Sequence, residues 1–357
     1  MSQEIILQGV ILSEVRYDIS SENKSSTSEI LAVEDLKKYY PVRRGVADLL
    51  RRSKKVQVKA IDGVSFTVNE GRVYGLVGES GSGKTTTGYT IMGLENPTSG
   101  TISFQGKTLS AKEHKHAGLS LKLRMIFQNP YETFDPRKTL WQTFSEILQV
   151  AGLGSRPERR QMSLDALSRA GLRPAASYID RFPSELSGGQ LQRAAIATAL
   201  VVEPVLLIAD EPVSMLDASI RAGVMNLLLN LNRQKKMAIL LITHDLSVAW
   251  YLCDYLIVMY LGRIAEKGPA EQVLQNPRHP YTAALISASP MVDKAKWNFV
   301  AKGEVDSNID LPKGCRFHPR CPFATDICRE QEPAPEVAGD GWSYWCHHPL
   351  SVQKLKN

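Results

Sequence analysis

Eight residues, Gly78-Glu79-Ser80-Gly81-Ser82-Gly83-Lys84-Thr85, constrain the fold of this chain more than any other stretch. They satisfy the pattern G-x-x-x-x-G-K-[ST] at every fixed position. Ahead of them, Val73-Tyr74-Gly75-Leu76-Val77 is a short apolar run that reads as a buried strand. Behind them, Thr86-Thr87-Gly88-Tyr89-Thr90-Ile91-Met92 can begin a helix. That strand–loop–helix setting gives the pattern its meaning. The glycines let the backbone wrap so that successive N–H groups point inward at a helix N-terminus, which makes a concave anion site. Lys84 is expected to reach the β- and γ-phosphates of a nucleotide, and the Thr85 hydroxyl to hold Mg²⁺. A chance glycine-rich turn would not have both flanks.

The 357 residues suffice for a full core and more than one domain. The net charge of +6 suits an anionic ligand or a membrane surface, and an ordinary basic surface accounts for it equally well. No apolar stretch reaches the roughly 18–20 residues of a membrane span. Ile5–Leu12 lacks the basic flank and cleavage site of a signal peptide, so a cytoplasmic location with any membrane role peripheral is expected.

Residues 1–28 end in a polar run, Ser20–Ser26, and read as a flexible tail. A basic insert with Arg43, Arg44, Arg51, Arg52, Lys54 and Lys55 reads as a solvated loop, the alternative being contact with lipid head groups or a partner. Between Gln128 and Leu186 the texture turns helical. Leu140, Phe144, Ile147, Leu148 and Ala151 recur on one helix face, Pro157 suits a first turn and Gly171 a stop. Strands and helices then alternate: Val205–Ala209, Ala222–Leu231, Ala238–Thr243, Ser247–Leu252, and Tyr255–Tyr260 as the last strand. Continuous Leu/Ile/Val strands separated by helices imply an α/β fold with a parallel sheet covered on both faces. Ligand groups in such folds gather at the carboxyl ends of strands, where the phosphate loop, Asp210-Glu211 and His244 all fall.

Asp210 ends an apolar strand, where an acidic residue positions Mg²⁺ through its waters. Glu211 can orient and deprotonate a water in line with the γ-phosphate and is the expected general base. Gln128 can sense Mg²⁺ and that water through its amide, and His244 can hydrogen-bond the γ-phosphate. Leu186-Ser187-Gly188-Gly189-Gln190 precedes a helix and forms a second anion-ready N-terminus. A chain that already has one phosphate site has a use for a second if it serves a nucleotide held by another subunit.

In order along the chain, Gly78–Thr85 and Thr86, Gln128, Leu186–Gln190, Leu206–Glu211, Ser214-Met215-Leu216-Asp217 and His244 resemble the motif set of an ABC transporter ATPase: phosphate loop, Q-loop, signature, Walker B strand, D-loop and switch histidine. The resemblance covers about residues 30–290. It implies a P-loop ATPase fold of ABC type with a parallel-sheet core and a helical subdomain. It also implies a head-to-tail dimer with each ATP between one phosphate loop and the other subunit's signature. Tyr40 matches the aromatic that stacks on adenine, with Tyr39 a near competitor. Thr85, Gln128 and Asp210 are the implied Mg²⁺ residues, and Ser214 and Asp217 belong to the D-loop. Met215 and Thr198 depart from the usual alanine and arginine at their positions.

Asn276-Pro277-Arg278-His279-Pro280-Tyr281-Thr282-Ala283-Ala284-Leu285 and the tail behind it resemble the oligopeptide/dipeptide (also nickel) importer ATPases. Phe127–Tyr131 and Asp210–Ser214 look like the F-type subunit. The resemblance implies a heterodimer with a related D-type ATPase, two integral-membrane permease subunits, an external solute-binding protein and a place on the cytoplasmic face of the membrane. Expected boundaries are 1–28 for the tail, 29–273 for the ATPase domain with a helical subdomain near 129–186, and 274–357 for a small cysteine-bearing extension. Peptides are the expected cargo, with oligosaccharides or nickel as alternatives.

Four of the five cysteines, Cys315, Cys321, Cys328 and Cys346, fall in this extension. Four thiolates can hold a [4Fe–4S] cluster or tetrahedral zinc, and free thiols remain a third reading. No tight C-x₂₋₄-C pair of the usual zinc kind occurs, and the resemblance favours the cluster. His318, His347 and His348 are close enough in sequence to substitute, while Cys253 reads as a core residue. A non-transport ABC ATPase acting on nucleic acid is disfavoured by the single cassette and the importer-like tail. A sensor ATPase whose tail reads redox state is a third class.

Overall fold

The computed structural model describes residues 6–7, 10–11, 28–42, 57–115, 117–289, 301, 303, 309, 311–339 and 341–350. The basic insert lies outside them, as does most of the expected tail. Within that tail β1 (Ile6–Leu7) pairs antiparallel with β2 (Val10–Ile11). There follow β3 (Glu29–Pro41), β4 (Gln57–Asn69), β5 (Val73–Val77), α1 (Lys84–Ile91), β6 (Ser99–Phe104), β7 (Lys107–Thr108), α2 (Ala117–Lys122) and β8 (Leu123–Ile126). The middle of the chain forms α3 (Leu140–Val150), α4 (Arg156–Arg169), α5 (Gly188–Leu200), β9 (Leu206–Asp210), α6 (Ala218–Lys235) and β10 (Ala238–Thr243). The last elements are α7 (Leu246–Leu252), β11 (Tyr255–Tyr260), β12 (Arg263–Pro269), α8 (Ala270–Gln275), α9 (Pro280–Ala288), α10 (Asp326–Glu330), β13 (Glu336–Gly339) and β14 (Trp342–Tyr344). They divide into two compact units, one built chiefly from Ala117–Ala238, the other from Ile30–Val68, Arg72–His116 and the chain from Ile239 onward.

In the second unit β5 lies between β10 and β11, parallel to both. Every residue of β5 and β10 is buried, as uninterrupted Leu/Ile/Val runs require when both faces of a sheet are covered. The sheet continues from β11 into antiparallel β12, then β14 and β13. This corrects the expectation that Tyr255–Tyr260 is the last strand. Arg263, Glu266 and Lys267 disguise β12 as a polar loop, yet Glu266 is fully buried and its charge is met by donors described below. A second sheet, in the order β4-β3-β6-β7, pairs β3 with β6 antiparallel. The core around β11 joins Val77, Tyr260, Val273, Tyr281, Phe317 and Trp342, so the cysteine-bearing extension shares the apolar interior of this unit.

The first unit pairs β8 with β9 in parallel. Leu140, Phe144 and Leu148 form the buried stripe of α3, while Ile147 and Ala151 lie at its half-buried margins. Phe144 packs in one cluster with Leu167 of α4 and Leu191 and Ala194 of α5. Helix α3 starts in a capping box, Thr139 with Gln142, and α4 in another, Ser155 with Glu158, with a proline in its first turn. Truncating a fully buried Phe144 to alanine is expected to cost about 3–5 kcal/mol.

Candidate functional site

The phosphate loop leaves β5 and enters α1 through two glycines that no other residue could replace without moving the backbone. A Cβ on Gly78 would stand 2.2 Å from the Met259 carbonyl oxygen, and one on Gly83 would stand 2.2 Å from that of Ala60. Both have positive φ, +151° and +102°. Lys84 begins α1 with its ammonium drawn into the loop, donating to the carbonyls of Gly78 and Glu79, each at 2.8 Å, and to Ser82 Oγ at 3.3 Å. The cation therefore stands at the middle of a wrapped backbone at the start of a helix, which favours a polyphosphate. Register carries His244 to the same place: Thr243 is paired with Val77, so His244 and Gly78 are the next residues along neighbouring parallel strands. His244 is exposed, and Asp245 behind it caps α7 by accepting from the Ser247 and Val248 N–H groups.

The two tyrosines at the end of β3 separate cleanly. The Tyr39 hydroxyl donates to Asp62, and burial followed by that carboxylate pushes its pKa up to about 12. Tyr40 instead lies with its hydroxyl between Glu95 and Thr86, the residue after the phosphate-loop motif. Tyr40 is the one on the loop's side, with the Lys38 ammonium 4.7 Å over its ring.

In the other unit, Ile126 pairs with Ala209, which puts Gln128 and Glu211 at equal height beyond the ends of β8 and β9. Asp210 is fully buried at the end of β9, and Glu211 is 8% exposed with φ +48°. A positive φ at a glutamate is uncommon and marks a conformation that its surroundings impose. Ser187 N-caps α5, accepting from the Gln190 N–H at 3.3 Å while the Gln190 side chain accepts from the Ser187 N–H at 3.0 Å. Leu186 is buried beneath this turn, and Ser187 and Gly188 are exposed. The turn lies against the Ser214–Asp217 segment, where Gly189 faces Leu216 and the Met215 carbonyl. Asp217 in turn caps α6, accepting from the Ile220 N–H at 3.0 Å. Tyr40, the phosphate loop and His244 thus belong to one unit, and Gln128, the signature turn, Asp210, Glu211 and the D-loop to the other.

Sequence reasoning missed the residues that bind the extension to the phosphate loop. The Tyr281 hydroxyl accepts from the Glu79 N–H at 2.8 Å. Arg320 makes a two-pronged pair with the Glu79 carboxylate at 2.7 and 3.0 Å. Arg316 bonds Asp62 and the Leu261 carbonyl, and Arg263 also reaches Asp62 at 3.4 Å. Burial pushes the Asp62 carboxyl up, but the Tyr39 hydroxyl and these cations together carry it below the ordinary carboxylate range. The one sequence signal was the presence of two arginines inside the Cys315-x₅-Cys321 loop. Glu266 was missed as well; it accepts from the Arg278 and His279 N–H groups, both at 2.9 Å, and from the Trp342 indole at 2.8 Å.

Cys315, Cys321, Cys328 and Cys346 line one small cavity together with Phe317, Phe323, His279, His318, His347 and His348. Burial and then the neighbouring sulfurs push Cys315 up to about 11; burial pushes Cys346 up to about 12, with the other three thiols adding to it. Four cysteine sulfurs around one small cavity are the soft donor set that a thiolate-held centre uses, so they fit such a centre in chemistry. Among the described residues no three His, Cys, Asp or Glu side chains are already drawn together at ligating geometry. His318 Nδ1 is engaged with the Cys315 carbonyl at 2.9 Å, His347 Nε2 with the Gln331 carbonyl at 3.0 Å, and His348 Nε2 with Thr325 at 2.7 Å. Cys253 packs beside the β11 core, and burial raises its pKa, as an inert thiol requires.

Two family models match the chain: "ABC transporter" over residues 61–214 and "oligopeptide/dipeptide transporter, C-terminal region" over 265–328. The chain is 42% identical over 333 residues to the dipeptide transport ATP-binding protein DppF of Haemophilus influenzae, covering 92% of this chain and 99% of that protein. It is also 42% identical over 324 residues to the oligopeptide transport ATP-binding protein AppF of Bacillus subtilis, covering 89% and 97%. The dimeric post-hydrolysis structure of the ATP-binding cassette MJ0796 with ADP and Pi superimposes with a TM-score of 0.60 at 27% identity, covering 68% of this chain and 99% of that one. The loop geometry, the two matched regions and this identity along nearly the whole length establish that the chain belongs to the ABC transporter ATPase family, in the branch with the oligopeptide/dipeptide C-terminal region.

Proposed function

We propose that this ATPase is the F-type energy subunit of an importer for dipeptides or oligopeptides, acting as half of a nucleotide-sandwich dimer. The observation that carries the reading is the pairing of two anion-ready helix N-termini on one chain. One is the lysine-centred loop at α1 and the other the serine-capped turn at α5. A chain with its own phosphate loop uses the second turn for a nucleotide held by a partner. Relatives named as dipeptide and oligopeptide transport ATP-binding proteins support the cargo class. A related D-type ATPase as partner, two permease subunits and a place at the cytoplasmic face of the membrane belong to the same reading. No described helix is long and apolar enough to cross a membrane.

In this reading the loop N–H groups of Gly78–Lys84 and the Lys84 ammonium take the β- and γ-phosphates, and Tyr40 stacks on adenine. Glu79, Ser80, Gly81, Ser82, Gly83 and Thr86 shape that cradle. Thr85, Gln128 and Asp210 would hold Mg²⁺, which spreads the charge of the phosphates when bound. Glu211 takes the proton of the attacking water, and His244 holds the γ-phosphate oxygen from the neighbouring strand end. Leu186–Gln190 address the partner's γ-phosphate, and Ser214 and Asp217 link the two sites. Cys315, Cys321, Cys328 and Cys346 would hold a [4Fe–4S] cluster, which serves as a thiolate-bound crosslink of the extension.

The test is the Glu211→Gln variant. General-base catalysis contributes about 10²–10⁴ in rate. The variant is expected to lose turnover by that factor while retaining ATP and accumulating a closed dimer. Near-normal hydrolysis would remove Glu211 from the role of base.

A further inference from the structure

The phosphate loop has an acidic residue at its second position, Glu79, and that presents a problem of charge. The loop is built to receive a nucleotide bearing several negative charges, and a carboxylate one residue past Gly78 opposes it. Its side chain is only partly exposed, at 28%, so solvent screens it incompletely. The compensation comes from the far end of the chain. The Arg320 side chain is 10% exposed and meets both carboxylate oxygens, Nη1 at 2.7 Å and Nη2 at 3.0 Å. The carboxylate holds the guanidinium well above its ordinary range.

The guanidinium is itself seated. It lies 5.8 Å from the Tyr260 ring and 5.9 Å from the Phe317 ring. Tyr260, Tyr281 and Phe317 are mutually packed, with centroids 4.5 to 5.4 Å apart. Tyr281 also fixes the loop backbone by accepting the Glu79 N–H. Arg320 enters from a loop in which its own N–H closes a short turn on the Phe317 carbonyl and the Cys315 N–H reaches across to the Cys328 carbonyl. The backbone of Glu79 is thus tied by Tyr281 and its charge by Arg320, two separable functions.

We propose that Arg320 is a charge-compensating positioning residue for the phosphate loop: by neutralising Glu79 and turning its carboxylate onto the extension, it sets the affinity for nucleoside triphosphate over diphosphate. The cysteine-bearing extension thereby takes part in the nucleotide site without touching the nucleotide. The inference rests on the reading of Gly78–Thr85 as that site.

The test is a double-mutant cycle in the full-length chain, with Mg·ATP and Mg·ADP binding measured by calorimetry at two ionic strengths. Arg320→Gln leaves Glu79 uncompensated and is expected to weaken ATP binding by about tenfold or more, ADP binding by less, with part of the loss recovered at high salt. Arg320→Lys keeps the charge and is expected to retain most of the affinity. In the Glu79→Gln background, adding Arg320→Gln is expected to change ATP affinity by no more than about threefold, because no charge is left to compensate. Thermal melts identify variants that fail to fold, and the lysine variant and the Glu79→Gln background remain informative in that event. Equal ATP affinity of wild type and Arg320→Gln overturns the proposal. So does a tenfold loss that persists undiminished in the Glu79→Gln background, which marks Arg320 as a structural tether. Wild-type protein that binds no ATP would instead overturn the underlying reading of the loop.

Discussion

A single methyl group on Gly78 probes the phosphate loop sharply. In Gly78→Ala the new Cβ stands 2.2 Å from the Met259 carbonyl oxygen and 2.9 Å from Ser82 Oγ. Carbon–oxygen contacts settle at roughly 3.3 Å, so the loop must retreat from β11 by about 1 Å. A backbone shift of that kind costs about 1–3 kcal/mol. Holding alanine at φ +151° adds about 1–3 kcal/mol more. If nucleotide selects the closed loop, the sum of about 2–6 kcal/mol weakens ATP binding by roughly thirtyfold to twenty-thousandfold. Gly81→Ala is the internal control: its Cβ meets nothing within 4 Å at φ +78°. Only the left-handed penalty of about 1–2 kcal/mol remains, a loss of roughly fivefold to thirtyfold. Titration of a fluorescent ATP analogue against both variants, with melting curves alongside, gives the ranking. Gly78→Ala binding as tightly as Gly81→Ala would refute the argument that contact with Met259 shapes the loop.

Glu266→Ala leaves three donors at the extension without their acceptor and is expected to cost about 3–6 kcal/mol, read from denaturant unfolding. Burial raises the pKa of Glu266 against the pull of those donors. A raised folded pKa gives stability that is fully present below the unfolded value of about 4.3 and is lost as pH rises through the folded one. The stability of wild type relative to Glu266→Gln is therefore expected to decline as pH rises from about 4.3, and a gap that widens would contradict it. Lys84→Ala is expected to abolish tight ATP binding, and unchanged affinity would remove the lysine from the phosphates. Protein purified without oxygen is expected to be brown with broad visible absorption; colourless protein with stoichiometric zinc would replace the cluster by zinc.

The phosphate loop and the parallel strands around it were legible because their signals are local. A motif flanked by an apolar run fixes strand, turn and helix within twenty or so residues, and chain alternation then orders the strands. The α3 stripe was legible for the same reason, through Leu140, Phe144 and Leu148. Partners distant in sequence were not. Arg320 and Glu79 are 241 residues apart, and Arg316 and Asp62 are 254 apart, with no pattern to join them. Tyr39 and Tyr40 show the limit most simply: adjacent strand residues point to opposite faces, and only the fold reveals that Asp62 takes one and Thr86 the other. Strand β12 was hidden because its buried Glu266 reads as a surface residue until its three donors are known.

Transport in closed vesicles decides whether this ATPase powers peptide entry. The chain would be reconstituted with its partner ATPase and permease subunits, ATP enclosed on the ATPase side, and accumulation of a radiolabelled dipeptide loaded on the binding protein measured over time. The expected result is ATP-dependent accumulation with the wild-type chain and none with Lys84→Ala or Glu211→Gln. Peptide accumulation that proceeds equally with the Glu211→Gln chain, or ATP hydrolysis by the assembled complex with no peptide moved, would contradict it.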